Sequence, residues 1–254
     1  MNRLFARLGY ALRRHGPAGF IWLVGYNVVY HLRAHNRRPH GPAQPDSFDE
    51  KYGTDTGGTR EIGSLDVLHS PIARFAVRYD PSSEASVRLL LHNLQIDYSR
   101  FSFVDFGSGK GRVLLIAAEF PFREVLGIEF SRELHETAVQ NLARLPPDVI
   151  RAGSVRSIHG DASSFELSRS DLVCYFYNPF GAPVIEAVAA RLAAHHERFG
   201  FRVIVVYVDP RHAEIFKKSG RFVVQDKNPR ALVLTTNPPS SSGAAVAPNS
   251  GTAA

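Results

Sequence analysis

The sequence predicts an α/β protein whose largely parallel sheet is covered by helices on both faces. From residue 101 onward, short apolar runs alternate with segments of helical periodicity, which is the pattern of strand–helix–strand units. A cluster of glycines also follows the first apolar run, at the point where a strand would turn into a helix. The chain of 254 residues is long enough for one such domain with extensions.

The elements follow each other in a regular order. Most of the predicted strands are short apolar runs. The predicted helix 132–145 places Leu134, Ala138, Leu142 and Leu145 on one face. The predicted strands are 101–106, 125–128, 155–159, 171–177, 201–208, 222–225 and 231–235, of which the last two form a hairpin. The predicted helices are 113–120, 132–145, 184–195 and 213–219.

The basic charge of the chain is concentrated at its N-terminus. The formal net charge is +6, and residues 1–45 contain seven arginines and no acidic residue. The remainder of the chain is therefore close to neutral. This distribution argues against a nucleic acid as the partner of the core.

Residues 1–38 combine a basic amphipathic pattern over 2–14 with an uncharged, largely apolar stretch over 16–32. That stretch is shorter than the roughly 20 apolar residues of a spanning helix, and it contains Pro17 and Asn27. It also lacks the small-residue cleavage site of a signal peptide. A helical cap on the main domain or a partner and peripheral membrane contact both stay open. We expect a cytoplasmic protein, with peripheral contact to the inner membrane as the alternative.

These patterns divide the chain into four parts. Residues 1–38 form the N-terminal helical segment, and 39–69 form a Pro/Gly-rich linker that could serve as a substrate lid. Residues 70–236 form the α/β domain, and 237–254 form a tail that we expect to be disordered because it has no core-forming residues. The single cysteine excludes an internal disulfide, and no residues have the spacing of a zinc site, so no metal is expected.

The strongest functional signal is the turn after the first strand, where residues 105–111 have the sequence Asp-Phe-Gly-Ser-Gly-Lys-Gly. Glycines permit a tight turn and a close approach of the backbone to a ligand. A phosphate-binding P-loop needs Ser or Thr after its lysine, but Lys110 precedes Gly111, and we expect Lys110 to be solvated. The dinucleotide fingerprint is G-x-G-x-x-G, whereas the third glycine here comes one residue early. The Gly-rich turn therefore predicts a ligand site, and the spacing of its third glycine weakens the case for a dinucleotide pyrophosphate as the ligand.

Polar groups also end the next three strands. Glu129 lies at the tip of the second strand, where an acidic side chain can accept both hydroxyls of a ribose. Asp161 follows the third strand and could accept a hydrogen bond from the exocyclic amine of a purine. Asn178 follows the fourth strand. Because ligands bind outside the carboxyl ends of parallel strands, we expect these groups to line one site with the Gly-rich turn.

Together, these four motifs resemble those of the class I S-adenosylmethionine-dependent methyltransferases. The matching segments are 105–111, Glu129, 160–162 and 178–180, in the family's order, and the resemblance runs from about residue 70 to residue 235. It implies a Rossmann-like sheet of seven strands with an antiparallel last strand. It also implies S-adenosyl-L-methionine as the cofactor.

The resemblance assigns a role to each matching residue. The turn would border the methionine part of the cofactor with Asp105 close by, Glu129 would hold the ribose, and Asp161 would contact the adenine amine with Ala162 beside the ring. The implied cofactor-binding residues are Asp105, Gly107, Ser108, Gly109, Gly111, Glu129, Asp161 and Ala162. The implied catalytic residues, where the methyl group is delivered, are Asn178, Pro179 and Phe180.

A closer similarity is to the non-SET histone-lysine methyltransferases and their bacterial relatives, which also have a Tyr-x-Pro segment before the first strand, here at Tyr79. The Asn-Pro-Phe motif is intermediate between that group and the Asn-Pro-Pro-aromatic motif of enzymes that methylate amino groups of nucleobases or glutamine. No long basic extension is attached to the core, which argues against a histone substrate. Tyr52, Asp55 and Tyr79 are candidate substrate residues because they lie upstream, where this fold commonly builds a lid.

Nitrogen is the methyl acceptor that the residues favour. The side-chain carbonyl of Asn178 can accept an N–H while the nitrogen lone pair points at the methyl group, and Phe180 with Tyr175 or Tyr177 could flank the nitrogen group. The unknown acceptor would be a lysine-type amine or another amino group, on a protein or a small molecule. Two other functions stay open: a nicotinamide dehydrogenase, and a non-catalytic cofactor-binding or membrane-associated partner protein.

Overall fold

The computed structural model of this chain describes residues 47–59, 79–227 and 231–237. All of them belong to the second of the two units into which the chain divides, Pro45–Ala254. The predicted N-terminal helical segment 1–38 and all but the first residue of the predicted tail 237–254 lie outside the described residues.

Seven strands and six α-helices make up the described part of the chain. The strands are β1 Phe101–Phe106, β2 Glu124–Glu129, β3 Val155–His159, β4 Asp171–Tyr177, β5 Val203–Val208, β6 Phe222–Lys227 and β7 Ala231–Thr236. The helices are α1 Ser47–Tyr52, α2 Glu84–His92, α3 Arg112–Ala117, α4 Arg132–Ala143, α5 Ala182–Phe199 and α6 Ala213–Lys218. Short 3₁₀ turns cover Tyr98–Arg100 and Pro147–Val149. None of the helices in the described ranges has the length and hydropathy that crossing a membrane would require.

All seven strands form one sheet in the order β3-β2-β1-β4-β5-β7-β6. The first five strands are parallel, and β7 runs antiparallel to both β5 and β6. The predicted α/β architecture, with seven strands, a final hairpin and an antiparallel last strand, is therefore confirmed. Every residue of β1 is buried, as expected for a central strand of a parallel sheet that is covered on both faces.

Apolar layers cover the two faces of the sheet. Because successive side chains of a strand point to opposite faces, neighbouring residues of β1 belong to different layers. Phe103 packs in one layer with Leu114 of α3. Val104 packs in the other layer with Val188 of α5. The helices predicted from the sequence therefore lie on both sides, which leaves the carboxyl edge of the parallel strands open for a site.

Two helices were not predicted. Helix α1 lies inside the range 39–69 that the sequence predicts as a linker. The prediction of irregular structure is therefore wrong for residues 47–52. The prolines and glycines that indicated a linker flank this short helix, while its Phe48 is buried in the core. Helix α2, upstream of β1, begins after Ser83 and buries Val87 and Leu91. The remaining division into four parts stays a prediction.

The strand order reverses between β1 and β4. The chain builds outward from β1 through β2 to β3 on one side, and then crosses to β4 and β5 on the other side. In open α/β sheets, ligands bind in the crevice outside the carboxyl ends of the strands at such a switch point. The Gly-rich turn follows β1, and the Asn178 segment follows β4, so the fold places these two predicted motifs on the two sides of this crevice.

Candidate active site

A cleft lies at the switch point and brings together most of the residues predicted from the sequence. The predicted residues that line it are Tyr79, Asp105, Gly107, Ser108, Gly109, Glu129, Pro179 and Phe180. They come from the ends of β1, β2 and β4 and from the segment before α2. Gly111, Asp161, Ala162, Asn178, Tyr52 and Asp55 are not among the residues that line this cleft.

The glycines of the turn are required by the protein's own packing. Gly107 and Gly109 have φ angles of 82° and 53°, in the left-handed region that side chains rarely adopt. A Cβ at Gly107 would lie 2.5 Å from the Cβ of Pro179, and a Cβ at Gly109 would overlap the ring of Tyr79. The prediction of a tight turn is confirmed, and Pro179 and Tyr79 pack into the space that these two glycines leave. Gly111 caps the start of α3.

Glu129 links the end of β2 to the Gly-rich turn. One carboxylate oxygen accepts the backbone N–H of Gly109 at 2.8 Å, and the other accepts the backbone N–H of Ser131 at 2.8 Å. The side chain is buried, and this burial raises its pKa to about 7 even though the backbone hydrogen bonds oppose the shift. Each carboxylate oxygen has a second lone pair, so Glu129 can still accept a hydrogen bond from a ligand in the cleft.

Asp105 is a second buried carboxyl group in the same cleft. It lies on β1 opposite Gly127 of β2. Gly127 is two residues before Glu129 on the same strand. Burial raises its pKa well above the ordinary value, and the charge of Glu129 raises it further. Two buried carboxyl groups side by side favour a state with fewer negative charges. A cationic ligand would offset this repulsion and stabilise both groups in their charged form.

Asn178, after β4, has an unusual backbone and an unsatisfied side chain. Its φ is 42°, again in the left-handed region, and the residue is 5% exposed. Its Oδ1 is buried and has no hydrogen-bond partner among the described residues, and the same holds for Oγ of Ser108. Buried polar atoms are nearly always paired, so such atoms beside a cleft are candidates for contact with a ligand. Asn178 lies between Tyr177 and Pro179, which both line the cleft.

The turn after β3 is organised differently. Oδ1 of Asp161 accepts the backbone N–H and the hydroxyl of Ser163, both at 2.7 Å, and so closes a local turn. Ala162 is buried in the apolar layer that contains Ile128. The backbone N–H of Gly160 donates to the carbonyl of Glu129 at 2.9 Å, so this turn lies next to the end of β2. The adenine contact stays a prediction for Asp161.

The structure places only Tyr79 of the three candidate substrate residues in the cleft. Its hydroxyl donates to the carbonyl of Thr56 at 2.6 Å, and burial raises its pKa far above the ordinary value. A tyrosine in this state is a poor general base, because ionisation would place a charge in a dry environment. Tyr79 therefore forms part of the cleft wall.

The side chains of Tyr52 and Asp55 make hydrogen bonds to residues that do not line the cleft. The Tyr52 hydroxyl donates to the carboxylate of Glu119 at 2.9 Å. The Asp55 carboxylate accepts from Nζ of Lys110 at 2.6 Å. Lys110 is 4% exposed, so the prediction that it is solvated is wrong: its ammonium group reaches back to a segment more than fifty residues upstream, which the local sequence cannot indicate.

Several residues that line the cleft were not predicted from the sequence. Arg112 and Phe130 directly follow the Gly-rich turn and Glu129, and both line the cleft. Their adjacency to the predicted motifs was the available signal. Arg112 is 7% exposed, and a buried arginine at a helix start is not predictable from periodicity. Tyr175 and Tyr177, which were expected as flanking aromatic residues, also line the cleft.

No family model matches this chain, and no curated protein matches it. Among solved structures, the chain is similar to a ribosomal protein L11 methylase from Lactobacillus delbrueckii subsp. bulgaricus, with 15% identity over 61% of this chain and 78% of that chain, at a TM-score of 0.45. The glycopeptide N-methyltransferase MtfA shares 12% identity over 61% of this chain and 90% of that chain, at a TM-score of 0.46. An RNA methyltransferase from Salinibacter ruber, solved with S-adenosyl-L-homocysteine, shares 18% identity over 63% and 94%, at a TM-score of 0.41.

Proposed function

We propose that this chain is an S-adenosylmethionine-dependent methyltransferase that methylates a nitrogen atom. The observation that carries this proposal is the convergence of the Gly-rich turn, Glu129, Pro179 and Phe180 on one cleft at the switch point of the sheet. These groups were identified separately along the sequence, and each lies at the carboxyl end of its strand or in the segment that follows. This is where α/β sheets bind their ligands.

The residues present fit the proposed cofactor. The Glu129 carboxylate has about four lone-pair sites and accepts from the backbone N–H groups of Gly109, Ser131 and Phe130, so it keeps capacity to accept from a ribose hydroxyl. The buried Ser108 hydroxyl, unpartnered among the described residues, can pair with a polar group of the ligand. When bound, the cofactor supplies a methyl group on a positively charged sulfur. A cation in the cleft would favour the ionised forms of Asp105 and Glu129, whose pKa values are raised by burial.

The end of β4 fits an amine acceptor. A nitrogen that still carries a hydrogen can donate it to Oδ1 of Asn178, the buried carbonyl oxygen that has no partner among the described residues. Such a hydrogen bond would orient the nitrogen and leave its lone pair free to face the cleft. Alignment of this kind is the main contribution that a protein makes to a displacement reaction.

The aromatic side chains on either side of Asn178 and Pro179 indicate what kind of acceptor the cleft could bind. Tyr177 is partly exposed, whereas Phe180 is buried, and both line the cleft. Aromatic faces attract cationic or planar nitrogen groups. We therefore propose a lysine-type amine or another amino group, on a protein or a small molecule, as the acceptor.

The proposal is tested by separating cofactor binding from turnover. Calorimetry would measure the binding of S-adenosylmethionine and S-adenosylhomocysteine, with NADH as the negative control. We expect Asn178→Ala to keep most of the affinity and Glu129→Ala to lose it, because Glu129 lines the cleft and accepts from the Gly109 N–H, whereas Asn178 is not among the residues that line the cleft. Mass spectrometry of lysine-containing peptides and small amines, incubated with S-adenosylmethionine, would then look for a methylated product.

Asn93→Ala changes an exposed asparagine at the end of α2 and should leave both measurements unchanged. A wild type that binds neither sulfur compound contradicts the methyltransferase proposal. Binding of NADH in their place favours a dehydrogenase. Tight binding of S-adenosylmethionine without any methylated product indicates a non-catalytic binding protein.

A further inference from the structure

A segment upstream of the sheet contacts the Gly-rich turn from outside the cleft. We call residues 47–59 the strap; it consists of α1 and the loop that follows α1. The sequence predicts this region as a linker that could close over a substrate. Its contacts in the structure point to a different role, in which the strap supports the Gly-rich turn.

The loop of the strap is folded around a single carboxylate. Asp49 accepts hydrogen bonds from the hydroxyl of Thr54 at 2.7 Å, from the hydroxyl and backbone N–H of Thr56 at 2.6 and 2.8 Å, and from the backbone N–H of Gly57 at 2.7 Å. Burial alone would raise the pKa of this carboxyl, but these hydrogen bonds hold it below its ordinary value. The conformation of 54–57 therefore depends on the charged form of Asp49.

One buried amide joins the strap to the Gly-rich turn. Asn141 of α4 is 1% exposed, and its Nδ2 donates both to the carbonyl of Asp55 and to the carbonyl of Lys110, each at 2.9 Å. Its Oδ1 accepts the backbone N–H of Asp55 at 2.9 Å. The Lys110 ammonium group adds a hydrogen bond to the carbonyl of Gly57 at 2.9 Å. The backbone of the turn is thus held to the backbone of the strap.

The strap also holds two walls of the cleft. The carbonyl of Thr56 accepts from the hydroxyl of Tyr79, and the hydroxyl of Thr56 accepts from Nε of Arg112 at 2.8 Å. Thr56 is fully buried, and both of its partners line the cleft. The ring of Tyr79 lies where a Cβ of Gly109 would be, so the strap fixes the surface against which the turn rests.

We propose that the strap positions the Gly-rich turn for cofactor binding, with Asp49 as its organising residue and Asn141 as its link to the turn. This inference rests on the proposed function for the identity of the ligand. Asp49 and Asn141 are positioning residues. Asp49 acts through Thr56 and through its ion pair with Arg112 at 3.7 Å, and Asn141 acts through the backbone of Asp55 and Lys110. A ligand that needs the ordered turn binds less well when the turn is loose, and by reciprocity its binding stabilises the strap.

The test compares two neighbouring residues of α1. Asp49→Asn keeps the size of the side chain, but it replaces one acceptor oxygen by an NH₂ group that faces the N–H of Gly57. Glu50→Gln makes the same chemical change at an exposed position one residue further on and serves as the control. We expect Asp49→Asn to weaken the binding of S-adenosylhomocysteine in calorimetry by about tenfold. Glu50→Gln should leave the affinity unchanged.

A second readout compares the two variants without a ligand and the wild type with one. Hydrogen exchange followed by mass spectrometry on the full chain should show faster exchange over 105–111 in Asp49→Asn than in Glu50→Gln, and equal exchange over β4 and β5 in both. In the wild type, S-adenosylhomocysteine should slow exchange in the strap as well as in the turn. A general loss of stability would instead accelerate exchange in all of these segments.

Two results would overturn the inference: wild-type affinity in a folded Asp49→Asn, or unchanged exchange over 105–111. If Asp49→Asn does not fold, Tyr79→Phe replaces it, because this variant removes only the hydroxyl that donates to Thr56 and keeps the ring against Gly109. Wild-type affinity in Tyr79→Phe would then count against the inference. A wild type that binds no sulfur compound contradicts the proposed function instead, and the exchange comparison still decides the role of the strap.

Discussion

Two turns at the carboxyl edge of the sheet, residues 107–111 after β1 and 160–163 after β3, both combine a glycine with a polar side chain. The turn after β1 is buried and is held by distant groups, namely Glu129 of β2, Tyr79 and Asn141. The turn after β3 is half-buried and is held mainly by its own Asp161, which accepts from Ser163. The same kind of sequence signal therefore corresponds to two different kinds of structure.

The position of each strand in the sheet explains the difference. Strand β1 lies between β2 and β4 at the switch point, and all of its residues are buried. Strand β3 lies at one edge of the sheet, and none of its residues is fully buried. A polar turn at the edge can be satisfied by its neighbours and by water, whereas a turn in the centre must find partners on other elements. We therefore expect substitutions in the central turn to have the larger effects.

The largest difference is expected between Gly109→Ala and Gly160→Ala. A Cβ at Gly109 would combine a left-handed φ with an overlap onto Tyr79, whereas a Cβ at Gly160 meets nothing within 4 Å. We expect Gly109→Ala to lower the free energy of unfolding by more than about 2 kcal/mol and to weaken S-adenosylhomocysteine binding at least about tenfold. Gly160→Ala should change the free energy of unfolding by less than about 0.5 kcal/mol. Urea unfolding and calorimetry measure both; equal effects of the two substitutions would erase the distinction between the turns.

A pH dependence of intermediate size should come from the centre of the sheet. The pKa of Glu129 is raised from 4.5 to about 7 in the folded state by burial. As the pH rises, the unfolded chain loses this proton first, so the free energy of unfolding falls between about pH 4.5 and about pH 7, by at most about 1.4 kcal/mol per pH unit from this group. Glu129→Gln should make this decline shallower, as measured by urea unfolding across that range, while Asp105, whose pKa burial also raises, retains a decline of the same sign.

Glu124→Gln is the control for this pH dependence. Glu124 lies at the other end of the same strand, where burial opposes but hydrogen bonds from Ser168, Ser102 and Arg156 lower its pKa. Its contribution to stability is present above its unfolded pKa and is lost as the pH falls, so its substitution should leave the decline above pH 4.5 intact. A Glu129→Gln protein that keeps the full wild-type decline would show that another group is responsible.

The smallest effect is expected from Asp161→Asn. The asparagine side chain retains an oxygen that can accept from the N–H and the hydroxyl of Ser163, so the local turn should persist. We expect the free energy of unfolding to change by less than about 0.5 kcal/mol and the affinity for S-adenosylhomocysteine to change by less than about threefold. A loss of affinity above tenfold in calorimetry would instead support the adenine contact predicted for Asp161.

Local periodicity was sufficient to predict most of the fold. Strand 171–177 was predicted at its observed bounds, because its apolar run ends in polar turns that leave little freedom for its ends. Strand 155–159 was also predicted at its observed bounds. Helix α5 is longer than the predicted 184–195, since it continues through a polar last turn to Gly200, which caps it with a φ of 72°. Helix α1 was missed because one buried residue, Phe48, gives no periodic signal in a segment of six residues.

The sequence by itself determined the order of strands and helices, the positions of the glycines in the central turn, and the carboxyl and amide groups at the strand ends. These features follow from backbone conformation and from the spacing of apolar residues, which are local properties. Only the tertiary structure decided which groups fill the space around those glycines, that Lys110 is buried, and that Asp49, Thr56 and Asn141 hold the turn. These contacts join residues that are far apart in the sequence, and their partners are chosen by packing across the sheet and helices, which no local pattern encodes.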